Sequence, residues 1–338
     1  MVRRNLSTGE YFLIKYQKMK FKLPCTAETI EEWKRWRAAF KEKLREMLLD
    51  MPEERCPLDP IILEQVELED GLIREKIIFN SEPEMAVPAY LFIPTNVDSE
   101  GRTLIYHQGH TLYGKDGYAG VTHGRRNDAS FDCRRLAREG FIILVPDFRG
   151  FGEREIGLKL KNRDKCDLIL DKSLLFGLNP LGMNIWDMMR AIDYLTTRKE
   201  VDPERIGCLG SSYGGTISLF LPALDERIKV TIVANYLSSF KAFALELSGI
   251  CGQQIPIGIL KYGEMWDVAC LIAPRPALYM SSTQDEIFPL EAAREAFKHI
   301  QRLYDVLGIP DRTAHIEVEG PHGSWDYKSV VEWFNKWL

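Results

Sequence analysis

From residue 103 onward the chain alternates between two kinds of apolar pattern. Short, mostly apolar runs fall at 103–106, 141–145, 206–209, 230–234 and 277–280, with a more polar one at 315–318. Runs of this length with little polar interruption suit strands covered on both faces, as in a parallel sheet. Between them lie stretches with helical periodicity, at 129–139, 184–198, 213–224, 290–307 and 325–338. This alternation predicts an α/β fold, a mostly parallel sheet with helices on both faces. Upstream, 61–68, 72–80 and 87–94 read as strands, the first two with polar alternation, so the sheet is expected to start antiparallel.

The first 60 residues follow another rhythm. Ile30, Trp33, Trp36, Phe40, Leu44 and Leu48 recur at helical spacing within 26–50, with charges on the opposite face. Pro57 and Pro60 then interrupt the chain. This predicts an N-terminal helical extension, 1–60, on a catalytic domain, 61–338. The segment 237–266 is longer than a plain crossover and rich in Phe, Leu, Ile and Gly. It is a candidate cap, with Phe240, Phe243, Leu247, Ile255 and Ile257 as candidate walls of an apolar pocket, although ordinary helix packing reads equally well.

In such sheets ligands bind beyond the carboxyl ends of the strands, so the loops there carry the candidate chemistry. After the run 206–209 the chain reads Gly210-Ser211-Ser212-Tyr213-Gly214-Gly215 and enters a helix. This is G-x-S-x-G placed between strand and helix, where a sharp turn presents a serine and demands small neighbours. Ser212 is the candidate nucleophile; Ser211 lies off the motif centre.

A serine hydroxyl needs a base, and the base needs an orienting partner. Three histidines follow Ser212: His299, His315 and His322. Of these, His322 sits in a Gly-Pro-His-Gly loop just after the last predicted strand, which makes it the candidate base. The loop after 277–280 offers Asp285 as the acid, with Glu286 as its rival. The backbone N–H of Tyr213 is one candidate oxyanion donor. The second is expected after strand 103–106, from His110 or Thr111, with Gly109 allowing close approach and Gln108 facing the pocket.

Composition narrows the picture. A net charge of −5 over 338 residues gives no electrostatic footprint for nucleic acid or an anionic membrane. No stretch is long enough to span a bilayer, and the apolar run 11–14 is too short for a signal-peptide core. Seven cysteines without a CxxC pair read as reduced thiols, so a cytoplasmic location is expected. His107 and His110 invite a metal, but no third ligand follows at a recognisable spacing, so neither metal nor organic cofactor is expected. Asp147 and Arg149 read as loop ties, Trp186 and Asp187 as packing and capping residues, Cys208 as core, and 123–126 as a solvated basic loop. A small-molecule ester is the expected partner, and a homodimer through the N-terminal helix is conceivable.

The segments 210–215, 284–289 and 320–323 together resemble the α/β-hydrolases. Within them, the stretches 184–195 and 271–276 resemble the dienelactone-hydrolase-like and acetyl-xylan-esterase-like esterases. The resemblance covers about 65–338. It implies a serine esterase with a Ser212–His322–Asp285 triad and an acyl-enzyme intermediate. There are two departures. Dienelactone hydrolases proper carry cysteine where Ser212 stands, and relatives often have histidine where Gln108 precedes Gly109. A peptidase or amidase with the same triad, or a binding protein on a hydrolase scaffold, are the competing readings.

Overall fold

A computed structural model describes residues 5–48, 52, 54–111, 113–121, 133–157, 164–247, 249 and 251–338. Within these residues the strands are β1 (Ile61–Leu68), β2 (Leu72–Glu82), β3 (Met85–Pro94), β4 (Thr103–His107), β5 (Ile142–Pro146), β6 (Ile206–Ser211), β7 (Val230–Ala234), β8 (Ala277–Gln284) and β9 (Thr313–Pro321). The helices are α1 (Thr8–Gln17), α2 (Ile30–Met47), α3 (Lys115–Tyr118), α4 (Cys133–Arg138), α5 (Lys165–Leu175), α6 (Pro180–Leu195), α7 (Tyr213–Leu224), α8 (Met265–Cys270), α9 (Leu290–Val306) and α10 (Tyr327–Trp337).

The strands form one sheet in the order β1-β2-β3-β5-β4-β6-β7-β8-β9. Pairing is antiparallel from β1 to β5 and parallel from there to β9, as the two hydrophobic patterns predict. The central strands are buried along their whole length because apolar layers cover both faces. Side chains alternate between the layers. Ile105, Ile142 and Leu144 join the layer of α2, α6 and α7, whereas Leu104, Tyr106, Ile143 and Val145 join that of α4 and α10. This is the fold of the α/β-hydrolases.

The described residues ahead of β1 do not pack as a separate body. Trp33, Phe40 and Leu44 of α2 lie in the same core as α6 and α7. The extension is also stitched to the region around 237–266. Lys22 and Leu23 donate backbone N–H groups to the carbonyls of Lys261 and Tyr262, at 3.1 and 2.8 Å, and Ile257 donates to Met47 at 3.1 Å. The region itself holds a π-helical turn (Lys241–Glu246) and two 3-10 turns (Gly252–Gln254 and Ile259–Lys261) before α8.

Four helices went unmarked by periodicity: the short α3 and α8, and the longer α1 and α5. α1 buries none of its residues, and α5 is followed by an exposed apolar end, with Leu175 84% and Phe176 77% exposed. Neither shows the one-sided stripe that marks a helix against a core. Among the described residues no helix is long and apolar enough to cross a membrane.

Candidate active site

The order of the last strands decides what can meet. β6, β7, β8 and β9 are consecutive neighbours running the same way, so the residues just beyond their carboxyl ends converge. Those residues are Ser212, Asn235, Asp285 and His322. β4 flanks β6 on the other side and delivers the loop 108–111.

Ser212 stands between β6 and α7 with φ 58° and ψ −119°. A non-glycine residue at positive φ is uncommon and stores strain on the order of 1–3 kcal/mol. The turn is enforced sterically. A Cβ on Gly214 would lie 2.1 Å from the His107 carbonyl oxygen, so only glycine lets α7 press this close to β4. The hydroxyl does not cap α7, and Tyr213 is its first residue, so the Tyr213 N–H is one of the helix's unclaimed donors.

The acid–base half closes tightly. His322 Nδ1 donates to Asp285 Oδ2 at 2.7 Å. Asp285 Oδ1 accepts the N–H groups of Ile287 and Phe288, both at 2.9 Å. The Asp285 side chain is 1% exposed and that of His322 is 25% exposed. A buried carboxylate thus orients an imidazole that still reaches solvent. Glu286 is exposed and takes no part. His299 stacks on Trp266 at 4.5 Å, and His315 Nε2 pairs with Ser281 Oγ at 2.9 Å, so both lie elsewhere. Among the described residues, Ser212 and His322 share no direct hydrogen bond. The segments that carry them are joined through a neighbour.

That neighbour is Asn235, which the motif search passed over. It sits just past β7 with φ 49°. Its Nδ2 donates to Ser211 Oγ in the elbow and to the Ser324 carbonyl in the histidine loop, both at 3.1 Å. Its Oδ1 accepts Ser282 N–H at 3.1 Å and Ser282 Oγ–H at 2.5 Å, on the acid strand. Ser324 N–H returns to Ser282 Oγ at 3.2 Å. One amide therefore ties the segments of the candidate nucleophile, acid and base together. The available signal was a polar residue directly after a buried strand.

The loop after β4 comes close to the serine: a Cβ on Gly109 would sit 3.6 Å from Ser212 Cβ. The Gly109 N–H is taken by Tyr118 Oη at 2.7 Å. His110 is exposed, with its ring 4.9 Å from Tyr213 and 5.7 Å from Phe151. Gln108 is fully buried, and neither its Oε1 nor its Nε2 has a partner, so it is not an exposed pocket wall. His107 is buried and meets Ser218 Oγ at 2.8 Å, away from any pairing with His110. Burial pushes its pKa down to about 3, which keeps the ring neutral.

Phe240 and Phe243 reach the site indirectly. Phe243 lies 5.9 Å from Phe240 and 5.2 Å from Phe288, and Phe288 stacks on His322 at 5.7 Å. Both are buried, so they support the wall instead of lining an open pocket. Ile255 is set against α6, its carbonyl accepting Asn179 Nδ2–H at 2.9 Å, and no contact among the described residues brings it to the triad. Leu247 and Ile257 are exposed.

Asp147 and Arg149 are ties, as their pattern suggests. Asp147 receives the N–H and ammonium of Lys115 at 2.6 and 3.0 Å. Arg149 grips Asp187 at 2.7 and 2.8 Å. Asp187 is therefore an ion-pair partner in mid-helix, not a cap; the cap of α6 is Asn179. Burial alone would raise the Asp187 pKa, but Arg154 and Arg149 overcome this and hold it at about 2. The stretch 123–126 lies outside the described residues.

The family model for acetyl xylan esterase matches residues 181–249, which span α6, the serine elbow and β7. A Bacillus subtilis (strain 168) protein, YtaP, provisionally named a hydrolase, is 27% identical over 313 residues, covering 89% of this chain and all of that one. A Bacteroides fragilis protein, provisionally named an acetyl xylan esterase, superposes with a TM-score of 0.78 at 19% identity, covering 94% of this chain and 84% of that one. Acetyl xylan esterase 1 of Thermoanaerobacterium superposes with a TM-score of 0.59 at 16% identity, covering 96% and 98%. By sheet order, serine elbow and these matches, the chain has the α/β-hydrolase fold and resembles the acetyl xylan esterases.

Proposed function

We propose that the protein is a serine hydrolase of carboxylic esters, acting through an acyl-enzyme intermediate. The observation that carries this reading is the Asp285–His322 pair, closed at 2.7 Å in the loops beside a serine held at φ 58°. His322 takes the proton of Ser212 as its Oγ attacks the ester carbonyl, then gives that proton to the leaving alkoxide. Water, deprotonated by the same imidazole, releases the acid. Asp285 stays ionised and fixes the tautomer. The Tyr213 N–H stabilises the oxyanion, with the second donor from His110 or Thr111, since Gly109 is already engaged by Tyr118. No step in this scheme calls on a cofactor.

The resemblance to acetyl xylan esterases supports ester over amide chemistry. The closed packing of Phe240, Phe243 and Phe288 behind His322 favours acyl groups at the small end of a small-to-medium range. The test is hydrolysis of p-nitrophenyl acetate, butyrate and octanoate by the wild type and by Ser212→Ala. Turnover that falls from acetate to octanoate and vanishes in the variant is expected. Equal rates in both proteins, or none in either, would overturn the reading. Turnover of amides alone would favour a peptidase or amidase.

A further inference from the structure

The loop after β4, the first turn of α5 and the 3-10 turn at Gly252–Gln254 converge on one point. His110, Cys166 and Cys251 each bring one ligand atom there, all within 4.8 Å of one another. Each is held independently. Cys166 opens α5, its N–H donating to Asp164 Oδ1 at 2.7 Å. Cys251 opens the 3-10 turn, which packs on α5, and its N–H donates to Gln254 Oε1 at 3.3 Å. The His110 ring rests on Tyr213 and Phe151. Tyr213 Oη is itself fixed, accepting from Asn184 Nδ2 at 2.8 Å and donating to Gln253 Oε1 at 3.1 Å.

We propose that His110, Cys166 and Cys251 form a binding site for a thiophilic divalent cation, Zn2+ or one of its kind. Two thiolates and an imidazole suit borderline metals and are poor ligands for the hard Mg2+ and Ca2+. Binding exchanges the two thiol protons, released to solvent, for one cation. The dithiolate–cation unit is therefore neutral and suited to a site where Cys166 is buried. Three protein ligands leave a fourth position, and the exposure of His110 opens it towards solvent. Cys208 shows the contrast: it is fully buried, its Sγ meets Thr231 Oγ1 at 3.3 Å, and it behaves as a core residue. A cation at the proposed site would clamp the loop carrying the candidate oxyanion donors to α5 and to the turn that follows residue 250.

The site does not depend on ester hydrolysis, and its test reads no turnover. The full-length protein, reduced and stripped with a chelator, is titrated with Co2+, and bound metal is counted by elemental analysis after desalting. One cation per chain is expected, with a thiolate-to-cobalt charge-transfer band that Zn2+ erases. Two cysteines should become protected from alkylation at the same time. Cys251→Ser and His110→Gln change half-buried and exposed positions, and each should weaken the band at limiting Co2+ while keeping its far-ultraviolet circular dichroism. Affinity should fall by at least about tenfold, the lower end of what losing even an outer hydrogen-bond partner costs a metal site. Cys56→Ser should keep both band and stoichiometry. A wild type that binds no more metal than Cys251→Ser, or a band unchanged in His110→Gln, would overturn the proposal. So would loss of two thiols on mild oxidation, reversed by dithiothreitol and without a cobalt band, which would assign the pair to a reversible disulfide.

Discussion

The two halves of the candidate triad are held by different physics. The serine elbow is held by exclusion: glycine lets α7 pack against β4 with no room for a side chain, and the backbone of Ser212 is forced to positive φ. The histidine loop is held by attraction: Asp285, Ser282, Ser324 and Asn235 fix it through hydrogen bonds of 2.5–3.2 Å. Steric enforcement is rigid and independent of pH, but it fails abruptly when volume is added. Polar enforcement fails by degrees, and each lost partner strands a buried group.

The largest effect should come from cutting the polar half at its acid. Asp285→Asn is expected to lower kcat by about 10⁴-fold while folding normally, the scale seen when a triad carboxylate can no longer hold the tautomer. Steady-state kinetics beside a melting curve measure this, and a loss under tenfold would break the assignment. Asn235→Ala is next. It should reduce kcat by on the order of 100-fold with KM much less affected, because it displaces the base relative to the nucleophile without touching either. An equal change in KM alone would move Asn235 from positioning to substrate binding.

The steric half is probed by Gly214→Ala, which should cost about 1–3 kcal/mol or more, seen as a lowered Tm whatever the buffer pH. A variant as stable as wild type would show that α7 can retreat from β4. A charged tie on the scaffold sharpens the contrast. The folded-state pKa of Asp187 is depressed from 3.8 to about 2, so its stabilisation is complete above 3.8 and lost as pH falls towards 2. That window is worth on the order of 2 kcal/mol, and acid unfolding of wild type beside Asp187→Asn measures it. The smallest effect belongs to Glu286→Gln, an exposed neighbour of the acid, where kcat/KM should stay within about twofold.

The same contrast explains what the sequence could disclose. The elbow is legible because sterics write themselves as residue types at fixed spacing, and Gly210, Ser212 and Gly214 are such a pattern. The parallel strands are legible because burial on both faces leaves mostly apolar runs. His322 and Asp285 could be placed by loop position, since each follows a recognisable strand. Asn235 could not, because its role exists only once β6, β7, β8 and β9 lie side by side and three other loops reach it. His110, Cys166 and Cys251 come from three distant segments with no shared spacing. Gln108 reads as a pocket residue in the sequence, yet its burial depends on how α7 closes over the loop. Asp187 looked like a cap because its helix starts earlier than the apolar periodicity indicates, at Pro180 behind Asn179.

The stitching of residues 22–23 and 47 to residues 257–262 bears on the order of folding. These backbone pairs close a loop of more than half the chain, and the entropy of that closure must be met before the pairs can repay it. The hydrogen bonds that seat the extension therefore form late, after β6, β7 and the turns beyond them have collapsed onto the sheet. Until then Trp33, Phe40 and Leu44 have no completed surface to cover, and an intermediate with an assembled sheet and an undocked extension would expose them. Stopped-flow refolding followed by tryptophan fluorescence should show Trp33 and Trp36 becoming shielded in the last phase, after the far-ultraviolet signal of the sheet is complete.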